Sequence, residues 1–264
     1  GDIDGYLLSE EEPKSEWPSF NYYSAAMQNR YYSILFNLKS NLALDNKELR
    51  QDLARNLPKD KIIQEALGDF GEVIEGPMDG TWAENPDANI LKYEPLNKKK
   101  YETTITLTVP RKPSNLKIAE LIKNEWQTIG INLVLEVVDT DKLSDLILKS
   151  RNFQVVLLGQ EVTHDPDRYT LWHSSQADPP GINIAGIKQV RIDRSLEEGR
   201  KIFDPEKRKE YYFHFQEVLA EEAPAIFLYR PVLIYAVRRG ILGIDLKGLF
   251  SPADRFNDFN QWQF

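Results

Sequence analysis

His164, Asp165, Asp167 and His173 fall within ten residues, and imidazoles gathered with carboxylates are what a metal centre or a metal-assisted hydrolase draws on. Their spacing matches neither H-x-x-x-H nor H-E-x-x-H. Asp165 stands directly before Pro166, so an aspartate N-cap, a proline at the first helical position and Asp167 in the first turn would together start a helix. The cluster therefore reads first as a capped helix ending near Ser175, with a metal-dependent hydrolase using the same four residues as the alternative. Trp172-His173-Ser174-Ser175 sets a serine beside a histidine, yet neighbouring residues point apart and no G-x-S-x-G elbow occurs. His214 sits among Tyr211, Tyr212, Phe213 and Phe215 and reads as helix surface beside core aromatics. No glycine loop able to cradle phosphates is present. No catalytic residue, metal or cofactor is expected.

The elements that must carry these residues follow from hydrophobic period. Residues 103–109 alternate threonine with Ile105, Leu107 and Val109, which predicts a strand. A helix over 114–128 is closed by Gly130, and a second strand over 131–138 precedes an amphipathic helix over 140–150. A third strand over 153–158 stops at Gly159. This βαβαβ succession predicts largely parallel strands, with ligands beyond their carboxyl ends. Upstream, residues 31–38 read as a buried strand ending at Asn41, and Asp45 reads as the N-cap of a helix running to Pro58, followed by a short helix over 60–67. Residues 2–24 and 68–95 read as loops, the first holding a charged run over 9–14. Downstream, a helix over 190–202 and a long one opened by Asp204-Pro205-Glu206 lead to Pro224, then to two strands over 225–229 and 232–237.

The chain has 264 residues, 41% hydrophobic and 28% charged, and no cysteine, which allows one large domain or two small ones and removes disulfides and thiolate chemistry. Lys and Arg total 33 against 41 Asp and Glu, a net charge of −8 that argues against nucleic acid and anionic lipid as partners. The basic run Lys98-Lys99-Lys100 reads as a solvated flank. No initiator methionine and no signal-like segment opens the chain, so an excised or processed product is expected, with any export signal upstream.

The strand running into Gly159-Gln160-Glu161, the Asp-Pro-Asp step, the stretch from Tyr169 to Gln176 and then Gly181-Ile182-Asn183 together resemble a known family. They are similar to the second lobe of the bacterial extracellular solute-binding proteins, family 5, the dipeptide and oligopeptide type that serves ABC importers. Further segments match in the same order: Gly1-Asp2-Ile3-Asp4, Phe36-Asn37, Lys59-Asp60-Lys61-Ile62-Ile63, Gly76-Pro77, Ile129-Gly130-Ile131 and Pro224-Ala225-Ile226-Phe227-Leu228-Tyr229. The resemblance implies an α/β, periplasmic-binding-protein-like lobe (type II, cluster C), a mixed sheet flanked by helices with its βαβαβ core near 101–160. Residues 1–29 would be a stub of the first lobe and linker, 30–247 the carboxy-terminal ligand-binding lobe, and 248–264 a return stub.

By the same resemblance the protein captures a peptide or similar small solute between two lobes and has no enzymatic activity. Its partners would be the solute, an ABC importer's membrane permease and the missing amino-terminal lobe. It would work on the extracellular face of the cell membrane or in the periplasm, lipid-anchored through an upstream segment. The binding strand would be Leu158, Gly159, Gln160 and Glu161, followed by Val162. Trp172 and Asn183 would line the cleft, and Ser33 and Phe256 would lie where the chain crosses between lobes. Family members usually carry an acid at the position of Val162, where it pairs with the solute's ammonium. Glu161 is the neighbouring carboxylate and is expected to take that part, provided the strand has ended or bulged by Gly159.

Overall fold

The structure, a computed structural model, describes residues 3–8, 17–40, 42–88, 91–96 and 98–264. Gly1, Asp2, the charged run 9–14 and Asn41, the expected strand limit, lie outside these. The first elements are strands β1 (Gly5–Leu8), β2 (Phe20–Ala26) and β3 (Arg30–Phe36). The loop expected over 2–24 thus contains strand structure, because β1 and β2 both find partners on one distant strand rather than in their own sequence. Helices α1 (Leu42–Asp45), α2 (Lys47–Arg55) and α3 (Lys59–Leu67) follow. The cap of α2 is Asn46, not Asp45: its side chain accepts from the N–H groups of Glu48 and Leu49, the first at 2.9 Å. Strand β4 (Gly71–Val73) then interrupts the expected long loop.

The βαβαβ unit is present as β5 (Thr103–Pro110), α4 (Pro113–Thr128), β6 (Ile131–Val138), α5 (Thr140–Ser144) and β7 (Val155–Glu161). After α5 the chain widens into a π-helical turn, Asp145–Ser150, so the expected helix over 140–150 is α-helical only in its first part. Alternation explains β5, whose Ile105, Leu107 and Val109 are fully enclosed. Gly130 closes α4 with φ of 93°, and a Cβ there would come within 1.8 Å of the Tyr101 carbonyl oxygen, so glycine is required. The remaining elements are α6 (Tyr169–Trp172), α7 (Val190–Arg200), α8 (Pro205–Glu222) and β8 (Ala225–Arg238). Asp204 caps α8 as its sequence predicts, accepting from Glu206 N at 3.0 Å. At the other end Ala223 is left-handed with φ of 47°. The buried Arg50 holds that turn, donating to the carbonyls of Ala223 at 3.1 Å and Glu222 at 2.6 Å.

The sheet order is β1-β8-β3-β7-β5-β6, with β2 and β4 also on β8. β5 is parallel to β6 and β7, while β3 is antiparallel to both β7 and β8. The two strands expected over 225–229 and 232–237 are one, continuous through Pro231. That proline lacks an N–H where β8 leaves β3 and passes to β2, and its carbonyl accepts from Met27 N at 2.8 Å. Side chains alternate across the central sheet. Ile34, Phe36, Val155 and Leu157 join α2, α3 and α4 on one face, and Leu35 and Val156 join α7 and α8 on the other. A third apolar cluster gathers Met27, Tyr235, Val237, Ile241, Leu246 and Leu249 at the far half of β8.

Candidate functional site at the end of β7

β7 is the strand on which the site depends, and its two edges differ. Toward β3 it is paired along its whole length, from Phe36↔Val155 to Arg30↔Glu161. Val162 N–H continues the ladder, donating to Asn29 O at 2.9 Å. In an antiparallel pair the bonded residues alternate, so the backbone groups of Leu158, Gln160 and Val162 face β3, while those of Gly159 and Glu161 face the other way. On that other side β5 pairs with β7 only through Leu107↔Val155 and Thr108↔Val156. Beyond Thr108 the two parallel strands part, and the edge of β7 at Gly159 and Glu161 has no strand partner among the described residues. A forked opening at the carboxyl ends of parallel strands is where open α/β sheets receive ligands.

The strand does not stop or bulge at Gly159, as the sequence reading required for Glu161 to turn inward. Tyr32 lies across the glycine, so near that a Cβ would meet its ring at 3.0 Å, and Tyr32 in turn stacks on Tyr229 at 4.7 Å between centroids. Glycine here accommodates a cross-strand ring instead of ending the strand. Glu161 consequently keeps its strand orientation, exposed and ion-paired with Arg30, its register partner. It points to the face opposite Gln160 and Val162.

The other expected site residues occupy three kinds of place. Leu158 and Val162 are partly buried against the second cluster, and Gln160 is buried with its amide oxygen 3.3 Å from Ser33 Oγ. Ser33 is in the middle of β3 and wholly enclosed. Trp172 and Asn183 are enclosed as well. Asn183 Nδ2 donates to the carbonyls of Trp172, His173 and Ile187 at 3.3, 3.2 and 2.9 Å, and its Oδ1 accepts from Gly186 N at 3.1 Å. It fixes a loop from within instead of lining an open surface. Phe256 is exposed, packed on Trp262 at 5.8 Å with the Arg255 guanidinium over its ring at 4.1 Å, in the segment whose Phe250 meets His164 just past β7.

Past β7 the Asp-Pro-Asp step does not cap a helix. Asp165 Oδ1 accepts from Asp167 N at 2.8 Å and Asp167 Oδ1 from Tyr169 N at 2.9 Å, two successive side-chain turns that lead into α6 only at Tyr169. Nor do the four candidate metal ligands converge. Asp165 takes a bidentate pair from Arg208, both bonds 2.7 Å, and Asp167 pairs with Arg200 at 2.9 Å. His173 stacks on Tyr169 at 4.0 Å and meets Glu197 at 3.2 Å, and His164 lies against Phe250 at 5.6 Å. Among the described residues no group of three or more such side chains could hold a metal ion. Burial alone would push Asp165 up, but the Arg208 guanidinium and the Asp167 N–H hold its carboxyl below the usual range.

Sequence reasoning passed over the residues behind the strand end. Arg168 is 1% exposed and, among the described residues, donates to backbone carbonyls alone, those of Pro77, Asp165 and Asp167 at 3.1, 3.0 and 3.4 Å. Tyr31, the register partner of Gln160, is buried near it, and burial, opposed by the arginine, pushes its phenol up to about 12. An arginine directly after Asp-Pro-Asp was the available signal. Its burial depends on the 77 carbonyl, far away in sequence.

The sequence profile of the bacterial extracellular solute-binding proteins, family 5 Middle, matches residues 1–180. The chain belongs to that family. The oligopeptide-binding protein AppA of Bacillus subtilis is 25% identical over 229 residues, which are 76% of this chain and 41% of that protein. The dipeptide-binding protein of Escherichia coli is 24% identical over 217 residues, 76% of this chain and 40% of its own length. The chain thus spans well under half the length of these relatives. In structure it matches AppA of B. subtilis in complex with a nonapeptide with a TM-score of 0.78 at 20% identity, covering 100% of this chain and 56% of that one. CtaP of Listeria monocytogenes gives 0.80 at 20% identity, covering 99% and 56%. The fold is therefore the periplasmic-binding-protein-like mixed α/β arrangement that the resemblance implied.

Proposed function

We propose that the chain is the second lobe of a two-lobed protein that captures an extended solute and hands it to the permease of an ABC importer, with no chemical step. The carrying observation is the free edge of β7 at Gly159 and Glu161, which presents backbone N–H and C=O groups at the mouth of the fork between β5 and β7. An extended chain laid along such an edge gains main-chain hydrogen bonds independent of its side chains, which suits a carrier of varied peptides. Relatives named for oligopeptides and dipeptides support a peptide as the solute. Leu158 to Val162 form the contact strand, while Trp172, Asn183 and Ser33 support it from behind and Phe256 belongs with the lobe junction.

In this reading residues 1–29 and 248–264 belong with an amino-terminal lobe, the second partner, and the protein acts outside the cell membrane or in the periplasm, held by a lipid on an upstream segment. The third apolar cluster is where the two parts meet. The test is calorimetry on the two-lobed protein with random tetrapeptide pools, ordinary or N-methylated at alternate amides. Binding that disappears on N-methylation supports edge pairing; equal binding of both pools refutes it. Mass spectrometry of solute retained through purification identifies the natural cargo.

A further inference from the structure

Four arginines gather about the end of β7. Arg30, Arg168, Arg200 and Arg208 stand about it together with Glu161, Asp165 and Asp167, while Asp193 and Glu197 face His173 next to Tyr169. Glu161 is taken by Arg30, Asp167 by Arg200 and Asp165 by Arg208. Arg168 is the one left over, and it is the most deeply buried of the four, its guanidinium held by carbonyl oxygens that carry no net charge. An arginine stays charged when buried, and a charge set in low-dielectric surroundings is screened far less than one in water.

Polar atoms beside Arg168 have the same bias. Tyr31 Oη and Trp172 Nε1 are both buried and face each other, the indole N–H toward the phenol oxygen, which leaves the phenol hydrogen without an acceptor among the described residues. The indole can only donate, and a phenol readily does. Val162, half-buried on the same face, contributes no charge. The buried groups on this face therefore offer one positive charge without a carboxylate partner and one free hydrogen-bond donor.

We infer that the solute group received at this end of β7 is anionic, a carboxylate, and not an ammonium. The inference rests on the reading of β7 as the solute edge and adds the polarity with which the solute lies along it. A bound peptide places its carboxyl terminus here. A capped amino terminus makes no difference to it.

Two measurements decide this. The first needs no solute: in Val162→Asp the new carboxyl is titrated by NMR, with Val162→Asn as the uncharged control for packing. Burial raises a carboxyl pKa, so a value clearly below the ordinary aspartate value of about 3.9 is the signature of the positive field. A value at or above it overturns the inference. The second uses the two-lobed protein and one random tetrapeptide pool in free, N-acetylated and C-amidated form. Amidation is expected to weaken binding about tenfold or more, and acetylation by no more than about twofold. Loss on acetylation with none on amidation overturns the polarity. If no pool binds, the peptide reading itself fails, and the NMR titration still settles the charge.

Discussion

Replacing Asn183 by alanine separates a residue that shapes the site from one that touches the solute. Its Nδ2 serves three carbonyls in the loop behind α6 and its Oδ1 satisfies Gly186 N, all within an environment of zero exposure. Each buried polar group left without a partner costs about 1–3 kcal/mol. The His173 carbonyl keeps Gln176 N at 3.0 Å and Gly186 N keeps the backbone carbonyl of residue 183 at 3.1 Å, so only the carbonyls of Trp172 and Ile187 lose their partner, and the net loss of folding stability should be about 2–4 kcal/mol. Against a typical stability of about 5–15 kcal/mol, the variant still folds but unfolds at markedly lower urea. Equilibrium urea denaturation, with the slope unchanged, measures the loss, and peptide-pool calorimetry at low temperature measures what remains of binding. Affinity within about twofold of the parent is expected, because no atom of Asn183 is open to solute. Full stability with a tenfold loss of affinity would refute this and return Asn183 to the cleft wall.

Three further outcomes follow from the geometry. Tyr31→Phe keeps the ring against Phe227 but removes the oxygen that the buried Trp172 indole N–H faces, so stability in thermal unfolding should fall by about 1–3 kcal/mol; an unchanged or raised stability would show that no bond joins the two. Gly130→Ala forces a side chain into a left-handed turn against the Tyr101 carbonyl and should cost about 2–4 kcal/mol in urea denaturation, with no loss meaning that the turn can rearrange. Lys39 and Lys188 hold the Asp178 carboxyl at about 2, below its unfolded value, so its contribution to stability is present above the ordinary carboxylate pKa and disappears as pH falls toward 2. The stability difference between the parent and Asp178→Asn should therefore be constant above pH 5 and vanish on acidification, and a difference that grows on acidification would contradict the pairing.

The parts of the fold legible in sequence were those whose signal is local. Threonine alternating with Ile105, Leu107 and Val109 marks β5, and Asp204 before Pro205 caps α8, because period and capping are contained in a few residues. What escaped depends on distant partners. β2 has no period of its own and exists through its register with β8, more than two hundred residues on. Gly159 looked like a strand end because glycine alone is a breaker, yet the ring of Tyr32 takes the place of the missing side chain. Asp165 looked like a cap, but Arg208 holds it and its own turn precedes the helix. At the site, the contact strand was readable and its electrostatics were not. The pairing of Arg30 with Glu161 joins residues 131 apart, and no spacing rule announces it.

Residue-resolved hydrogen exchange at the end of β7 tests the central claim most directly. Amides of Leu158, Gln160 and Val162 face β3 and should be protected with or without solute, while those of Gly159 and Glu161 face the open fork. Saturating the two-lobed protein with its retained solute, or with the tetrapeptide pool, should slow exchange at Gly159 and Glu161 by at least about tenfold and leave the other three unchanged. Unaltered exchange at both positions under saturation would show that solute does not pair with this edge.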